Sequence, residues 1–282
     1  PQARIWSPQD EIDTHGTASQ IETWILPEYF SPETDNPTKC IEATNRVTGT
    51  VVGGFENDGE SLLQMPDLVR DPDFRNFEGL DLDGNTAPMR GNPTTMWNVG
   101  EEDFFLATIV SNVTDTGDIT PIFSKRNNEQ WTISIDNTGM EDDLVFYLNS
   151  VALTKNHGAP AGATLIIVCG RKDGTPFINV QNGEASSGLT TGPSDTFDCS
   201  HNTLPWMGDM GPHLGTDELQ GTIYECIFIN GVTESTVSNF THDRIAQLQG
   251  YLAWKYDQVA LLEDDHAYKT YPPRGMRAGK QG

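Results

Sequence analysis

Short apolar runs separated by turn residues dominate this chain, and they constrain its fold more than any other feature. In WTISI, residues 131–135, the apolar Trp131, Ile133 and Ile135 alternate with the polar Thr132 and Ser134. A period of two is that of a strand with one buried face. Similar runs are FFLATIV (104–110), LVFYL (144–148), TLIIV (164–168) and FINV (177–180). Many short strands at this spacing predict an all-β fold with two antiparallel sheets packed as a sandwich.

Asp-Gly and Asn-Gly pairs mark the turns between these runs. Asp173-Gly174 separates TLIIVCGR from PFINV, and a two-residue hairpin favours this pair because glycine adopts positive φ at low cost. Asn182-Gly183 and Asn230-Gly231 repeat the pattern at later strand ends.

One amphipathic helix is expected, near the end of the chain. Ile245, Leu248 and Leu252 share a helical face, which predicts that the helix lies on a sheet or caps one end of the sandwich. Gly250 within it indicates close packing against another backbone. The following HAYKTYPP segment, 266–273, is expected to be extended, because a residue before proline is disfavoured in the α region.

The charge and hydropathy of the chain exclude several classes of partner. Its 282 residues carry a formal net charge of −24, which repels nucleic acid and anionic lipid. No stretch approaches the roughly 18 apolar residues of a membrane-spanning helix. The polar start, PQARIWSPQDEIDTHG, lacks the apolar core of a signal peptide, so we expect synthesis in the cytoplasm without export.

The four cysteines are far apart in the sequence and form no C-x-x-C pair, which argues against a zinc or redox site. Cys169 and Cys226 lie in apolar runs and are expected to be small core residues, whereas Cys40 and Cys199 lie elsewhere.

The C-terminal segment QGYLAWKYDQVALLEDDHAYKTYPP, 249–273, resembles the end signature of concanavalin A-like (laminin-G-like) jelly-roll domains. The matching positions are Gly250 to Lys255, Asp265-His266, Tyr268-Lys269 and Pro272-Pro273; the departures are Tyr256-Asp257-Gln258 and Ala267. Segments 79–84, 103–110, 176–184 and 219–229 resemble earlier strands of that family. The resemblance implies a two-sheet jelly-roll over 19–273, between an N-terminal arm, 1–18, and a basic tail, 274–282.

The same fold hosts glucanases, whose catalytic strand resembles E-x-D-x-x-E. Residues 11–16, EIDTHG, begin like that motif, but Gly16 replaces the second glutamate and the segment lies in the polar arm. The sequence shows no other carboxylate pair of the kind that a retaining glycosidase needs. We therefore expect no catalytic residues and no enzyme.

Metal and cofactor sites are not predicted. Residues 81–85, DLDGN, are similar to a calcium loop, but an EF-hand needs glycine and glutamate at its sixth and twelfth positions, where Thr86 and Asn92 stand. A strand that ends in a turn is the simpler interpretation, and calcium stays an alternative without an assigned position. The six histidines do not cluster, and His266 is expected to be a hydrogen-bonded packing residue.

Aromatic residues in loop-like sequence are candidates for glycan contact. Trp97, Trp206 and Tyr271 have the faces on which sugars stack, although burial in the core is the alternative for each. Arg274, Arg277 and Lys280 make the last nine residues basic, and we expect this tail to dock on an assembly.

The resemblance, the acidic body and the missing catalytic set together predict a non-enzymatic structural or decoration protein of a bacteriophage virion, docked on a capsid or tail. Its expected partners are other virion proteins or copies of itself, with cell-surface glycans as a further class. A stand-alone carbohydrate-binding, lectin-like module is the alternative, followed by a glycoside hydrolase. Fold alone does not fix function, so these are expectations.

Overall fold

A computed structural model describes residues 5–15, 21–32, 37–55, 66–83, 89–91, 97–113, 119–125, 131–136, 143–148, 151–156, 162–183, 188–193, 205–208, 219–232 and 242–274. None of the helices in these ranges has the length and apolar character needed to cross a membrane. Short 3-10 turns occur at Pro27–Tyr29, Pro72–Phe74 and Val259–Leu261.

Strands make up most of the described chain, with one helix near each end. In chain order the elements are α1 Pro8–His15, β1 Ile21–Ile25, β2 Phe30–Pro32, β3 Cys40–Thr44, β4 Val51–Phe55, β5 Asp67–Arg70, β6 Glu78–Asp83, β7 Met89–Gly91, β8 Asp103–Ser111, β9 Ile119–Lys125, β10 Trp131–Asp136, β11 Asp143–Leu148, β12 Val151–Asn156, β13 Leu165–Lys172, β14 Thr175–Gln181, β15 Gly188–Thr191, β16 Trp206–Met207, β17 Gln220–Val232 and α2 His242–Lys255.

In the described residues these strands form two antiparallel sheets. The eight-stranded sheet has the order β15-β14-β13-β8-β17-β6-β5, with β1 pairing along the other half of β17. The nine-stranded sheet has the order β12-β11-β10-β9-β16-β7-β4-β3-β2. The prediction of an all-β antiparallel sandwich is confirmed at this level.

The core between the two sheets follows the alternation read from the sequence. Trp131, Ile133 and Ile135 are buried in it, and so are Cys169 and Cys226. Burial raises the pKa of the Cys169 and Cys226 thiols, so neither is poised to be a thiolate. Both are inert packing residues, as predicted; Cys40 is buried as well, and Cys199 lies outside the described residues.

The predicted hairpin is present. Strands β13 and β14 pair up to Lys172 and Thr175, and the two residues between them have positive φ, 51° at Asp173 and 70° at Gly174. Positive φ at both central residues is the requirement of a type I′ turn, whose twist matches that of the flanking strands.

Helix α2 covers the outer face of the eight-stranded sheet. Ile245, Leu248 and Leu252 are buried there in a second apolar cluster, which confirms the predicted helical face. The close packing expected at Gly250 also exists, but its partner is a side chain. A Cβ at Gly250 would lie 2.7 Å from the Cβ of Tyr268.

The segment after α2 is a series of turns, contrary to the predicted extended chain. His266 N donates to the Glu263 carbonyl at 3.0 Å, and Lys269 N donates to the His266 carbonyl at 2.9 Å. His266 Nδ1 accepts the Tyr268 N–H at 3.2 Å, and burial lowers the pKa of its imidazole. The packing role predicted for His266 is confirmed. The prolines at 272–273 restrict only the residues directly before them, so they do not make the whole segment extended.

A buried carboxylate that the sequence did not reveal anchors α2 to the sheet. Glu225 on β17 has a fully buried side chain and pairs with Lys255 Nζ at 2.7 Å. It also accepts hydrogen bonds from Trp24 Nε1 at 2.6 Å, Tyr251 OH at 3.0 Å and Tyr256 OH at 2.7 Å. Burial, followed by the Glu225 charge, raises the pKa of both tyrosines, so they stay neutral donors.

The two ends of the described chain meet over α2. Ile5 pairs with Arg274 in an antiparallel bridge, and Trp6 N donates to the Pro273 carbonyl at 2.7 Å. The Trp6 ring is buried against Tyr251 and under the Arg244 guanidinium. Residues 5–13 are thus packed on the body of the protein. The domain boundaries at 18 and 273 stay a prediction.

Candidate functional site

The three aromatic residues predicted to contact glycans have different environments. Trp97 is fully buried between Phe123, Trp131 and Phe228, so it has no open face for a sugar and is withdrawn as a contact. Tyr271 is 68% exposed, on the turns after α2. Trp206 is placed by its backbone register in the nine-stranded sheet.

Among the described residues, those considered for calcium binding or for docking through basic side chains form no recognisable binding site. Residues 81–83 belong to β6 and 84–85 lie outside the described residues. Among the described residues there is no group of three or more His, Cys, Asp or Glu that could hold a metal ion. Arg274 is exposed at the bridge to Ile5, and Arg277 and Lys280 lie outside the described residues.

The register of the nine-stranded sheet brings distant polar residues into one line. Residues directly opposite each other in neighbouring strands share a face of the sheet. The direct partners run from strand to strand without interruption through Ser31, Glu42, Gly54, Arg90, Trp206, Ser124, Thr132 and Tyr147. We call these eight residues the polar row.

The polar row lies on the outer face of the nine-stranded sheet. Trp131, Ile133 and Met207, which alternate with row residues along their strands, are buried in the core between the sheets. Ser124 and Thr132 in the middle of the row are shielded from solvent, whereas Tyr147, Glu42 and Ser31 towards its ends are half-buried. The half-buried hydroxyls of Ser31 and Tyr147 and the carboxylate of Glu42 suit a ligand rich in hydroxyl groups, whereas Ser124 and Thr132 are covered.

Two carboxylates face each other on the same side of the same sheet. Asp136 of β10 and Asp143 of β11 are direct partners in the register. Each is an even number of residues from a row member, Thr132 or Tyr147, and so shares the outer face. Directly opposite residues have Cβ atoms about 5 Å apart, so one acid experiences the charge of the other.

A second pair of acids lies on the opposite side of the sandwich. Asp67 and Asp81 are direct partners in β5 and β6, and Lys39 Nζ lies 3.0 Å from Asp67 Oδ1. Burial raises the pKa of the Asp81 carboxyl, and the charges of Asp67 and Asp83 add to this. The hydroxyl of Thr222, which donates to Asp81 Oδ1 at 2.9 Å, acts against the rise.

This environment gives a testable pH dependence of stability. Because the pKa of Asp81 is raised in the folded chain, the folded state binds the proton more tightly than the unfolded state. That stabilisation is complete below the ordinary carboxyl pKa of about 3.9 and is lost as pH rises through the raised value. We therefore expect Asp81→Asn to raise the melting temperature at pH 7 but not at pH 3.5, measured by thermal unfolding. Asp83→Asn, at an exposed position, is the control and should shift it less; a lower melting temperature for Asp81→Asn at pH 7 would contradict the assignment.

Sequence reasoning found Trp206 and missed the rest of the polar row. The row joins residues from 31 to 206, and its strands are not in chain order. The alternation in WTISI did place Thr132 and Ser134 on a non-core face, which was the only available signal. The segment at 11–16, compared above with a catalytic strand, is helical from 8 to 15.

No family model matches the sequence, and no curated protein matches it either. Solved structures with a similar fold do exist. One is an arabinofuranosidase in complex with arabinofuranosyl-α-1,2-xylobiose, with a TM-score of 0.54 and 13% identity over 77% of this chain and 51% of that chain. Another is a GH54 α-L-arabinofuranosidase soaked with a cyclic sulfate inhibitor, with a TM-score of 0.54 and 12% identity over the same shares.

A GH54 α-L-arabinofuranosidase variant soaked with 4-nitrophenyl α-L-arabinofuranoside has a TM-score of 0.52 and 9% identity, over 89% of this chain and 66% of that one. The chain spans about half the length of the first two structures. At these identities the likeness establishes the shared β-sandwich fold.

These comparisons contradict two sequence-based predictions. The chain was expected to be a non-enzymatic virion decoration protein and not an enzyme, whereas the solved structures of similar fold are glycosidases. Both predictions are withdrawn, whereas the docking role predicted for Arg274, Arg277 and Lys280 is not tested and stays a prediction. The virion role was predicted from only one of the many functions that proteins of this fold perform.

Proposed function

We propose that this chain is the β-sandwich part of a carbohydrate-active enzyme, a glycoside hydrolase that cleaves its glycan at Asp136 and Asp143. The observation that carries the proposal is the register of the nine-stranded sheet. It aligns the polar row and sets Asp136 opposite Asp143 on the same face. The glycosidases of similar fold support a carbohydrate substrate, and arabinose-containing polysaccharides are the first class to test.

The carboxylate pair provides the chemistry. Retaining glycosidases use two carboxyl groups about 5–5.5 Å apart, one as nucleophile and one as acid and base. Direct partners across an antiparallel pair of strands have Cβ atoms about 5 Å apart, so their carboxyl groups can reach this spacing. In such a mechanism one carboxyl group protonates the leaving oxygen while the other attacks the anomeric carbon, and water then hydrolyses the glycosyl-enzyme.

We further propose that the sandwich is of the jelly-roll type and that its relatives are the concanavalin A-like domains. The resemblance of residues 249–273 to their end signature supports this. A calcium ion remains an alternative ligand of such a fold, so the assays below are run with calcium and with a chelator.

Single substitutions of the pair test the activity. We expect the natural chain to hydrolyse arabinoxylan, arabinan or 4-nitrophenyl α-L-arabinofuranoside. Asp136→Asn and Asp143→Asn should each lower kcat by about 10³-fold or more, because the nucleophile or the acid is lost. Binding of the polysaccharide, measured by calorimetry, should stay within a few-fold of the natural chain.

The matched control is Asp264→Asn, which removes a fully exposed carboxylate on the turns after α2 and should leave kcat unchanged. Hydrolysis that survives both aspartate substitutions would overturn the assignment of the pair. Failure to bind or cleave any glycan, with or without calcium, would overturn the proposed function itself.

A further inference from the structure

A histidine lies where helix α2 meets the turns that follow it. His266 is half-buried there, and the Tyr268 ring lies 6.0 Å from it, centroid to centroid. His266 Nε2 is 3.4 Å from Gln249 Oε1 of α2, and His266 Nδ1 accepts the Tyr268 N–H at 3.2 Å. The imidazole therefore makes one hydrogen bond to the helix and one within its own turn.

The two hydrogen bonds fix which ring nitrogen of His266 carries the proton. Gln249 is buried, and its Nε2 donates to Asn179 Oδ1 of β14 at 2.8 Å. The atom that Gln249 presents to the ring is thus the oxygen Oε1, which needs an N–H from His266 Nε2. The Tyr268 N–H needs an acceptor, which is His266 Nδ1. Both contacts are satisfied by the neutral imidazole with its proton on Nε2.

A second proton on His266 is incompatible with this arrangement. In the imidazolium both ring nitrogens are donors and neither is an acceptor. The Nδ1–H group would then face the Tyr268 N–H, so the turn loses a hydrogen bond and brings two donors together. A donor left without an acceptor costs more free energy than the hydrogen bond contributed. The closed turn therefore favours the neutral ring.

The surroundings of the ring act in the same direction. Burial lowers the pKa of the His266 imidazole; the Asp265 carboxylate acts against this and the Lys269 ammonium adds to it. The neighbours from α2 and β14, Gln249 and Asn179, are uncharged. Because the folded state binds the proton less tightly than the unfolded state, the stabilisation by the neutral ring is complete above the ordinary histidine pKa of about 6.5 and is lost as pH falls below it.

The turn closed by His266 holds the following segment on α2. Lys269 N donates to the His266 carbonyl at 2.9 Å. The Tyr268 carbonyl accepts Trp254 Nε1 at 2.8 Å, and the Tyr268 Cβ lies 2.7 Å from the position of a Cβ built on Gly250. Tyr268 is thus in close contact with the backbone of the helix while the turn is closed.

Contacts between the two ends of the described chain begin a few residues after this turn. Trp6 N donates to the Pro273 carbonyl at 2.7 Å, and Ile5 pairs with Arg274. Only residues 270–272 separate these contacts from the turn. Opening of the turn therefore removes the attachment that places Pro273 and Arg274 beside the start of the chain.

We infer that His266 and its turn, residues 266–269, form a pH-sensitive switch that controls the attachment of both chain ends to α2. With a neutral ring the turn is closed, and residues 273–274 pair with residues 5–6. When His266 gains a proton the turn opens, and both segments detach while the two sheets stay folded. The switch is independent of the proposed glycosidase activity.

Hydrogen exchange followed by NMR tests the switch at single amides. We expect the protection factors of the Trp6, Tyr268 and Lys269 amides to fall about threefold or more between pH 7.5 and pH 5.0, because acid favours the open turn. At both pH values they should be well below those of β8 in the middle of its sheet, since the turn opens without unfolding of the sheets. Equal protection at the turn and in β8 would overturn the inference.

The titration of the ring in the natural chain is a second, direct test. The ¹⁵N shifts of His266 should show a neutral form with its proton on Nε2 and a midpoint below about pH 6.5, the ordinary histidine value. A neutral form with its proton on Nδ1, or a midpoint at or above this value, would contradict the switch.

A substitution separates His266 from other groups that titrate in this range. Glutamine has one acceptor and one donor for the same two partners and does not titrate, so His266→Gln should have equal protection factors at the two pH values, within about twofold. His242→Gln, at the first residue of α2, is the matched control and should keep the pH dependence of the natural chain. A pH dependence that survives in His266→Gln would assign the effect to another group. These measurements involve no glycan, so their failure leaves the proposed function unaffected.

Discussion

Glu225→Gln should lower the free energy of unfolding by about 3–5 kcal/mol. Removing one member of a buried ion pair leaves the other charge uncompensated, which is costlier than the pair is favourable. Here the partner is Lys255, 2.7 Å away, and the side-chain exposure of the pair is 0% at Glu225 and 15% at Lys255. The Lys255 ammonium also lies over the rings of Phe77, Tyr251 and Tyr256, so it has little freedom to reach water.

Urea unfolding at neutral pH measures this effect, and a surface pair provides the control. Arg70 and Glu78 are 2.8 Å apart, but the Arg70 side chain is 70% exposed. Glu78→Gln should therefore cost about 1 kcal/mol or less. In Glu225→Gln with Lys255→Met no charge is left buried, so the double variant should lose less than the sum of the single losses. A loss below 1 kcal/mol for Glu225→Gln would contradict the anchoring role.

Gly170→Ala should have a similarly large effect, on the order of 4 kcal/mol, or prevent folding. Gly170 lies in β13 at φ +154°, and it pairs with Phe105 of β8. A Cβ there would overlap the carbonyl oxygen of Phe104 and lie 2.9 Å from the carbonyl carbon. Both obstructing atoms belong to the backbone of a central strand, so relief requires the two strands to separate.

Gly49→Ala separates this clash from the general cost of replacing glycine. Gly49 has φ +69°, and nothing lies within 4 Å of a Cβ built on it. Its substitution should cost only about 1 kcal/mol, the strain of an L-residue in the left-handed region. Thermal unfolding of both variants measures the two losses of stability. Equal losses at the two positions would contradict the steric clash as the explanation.

The sequence predicted the elements of the fold because their signals are local. The alternation in WTISI, the Asp173-Gly174 turn and the spacing of Ile245, Leu248 and Leu252 each lie within a few residues, and all three are confirmed. The prediction that residues 266–273 are extended was wrong, because side-chain contacts of Tyr268 and His266 outweighed the conformational bias from the prolines.

The candidate site could not be predicted in the same way because it depends on pairing between distant strands. The line from Glu42 through Gly54 to Arg90 exists only in one register of three strands. Trp97 illustrates the opposite failure. Polar neighbours made its sequence loop-like, yet its side chain enters the core among three aromatic rings.

The bridge between Ile5 and Arg274 has a mechanical consequence. The sites at which tension would be applied, residues 5 and 274, are adjacent, so a pulling force acts on the bridge and on the hydrogen bond from Trp6 to Pro273. These bonds are loaded in succession and not together, so they break one at a time at low force. The two sheets come under force only after helix α1 and the turns after α2 have detached. The contacts between the chain ends therefore break first and delay unfolding of the sandwich.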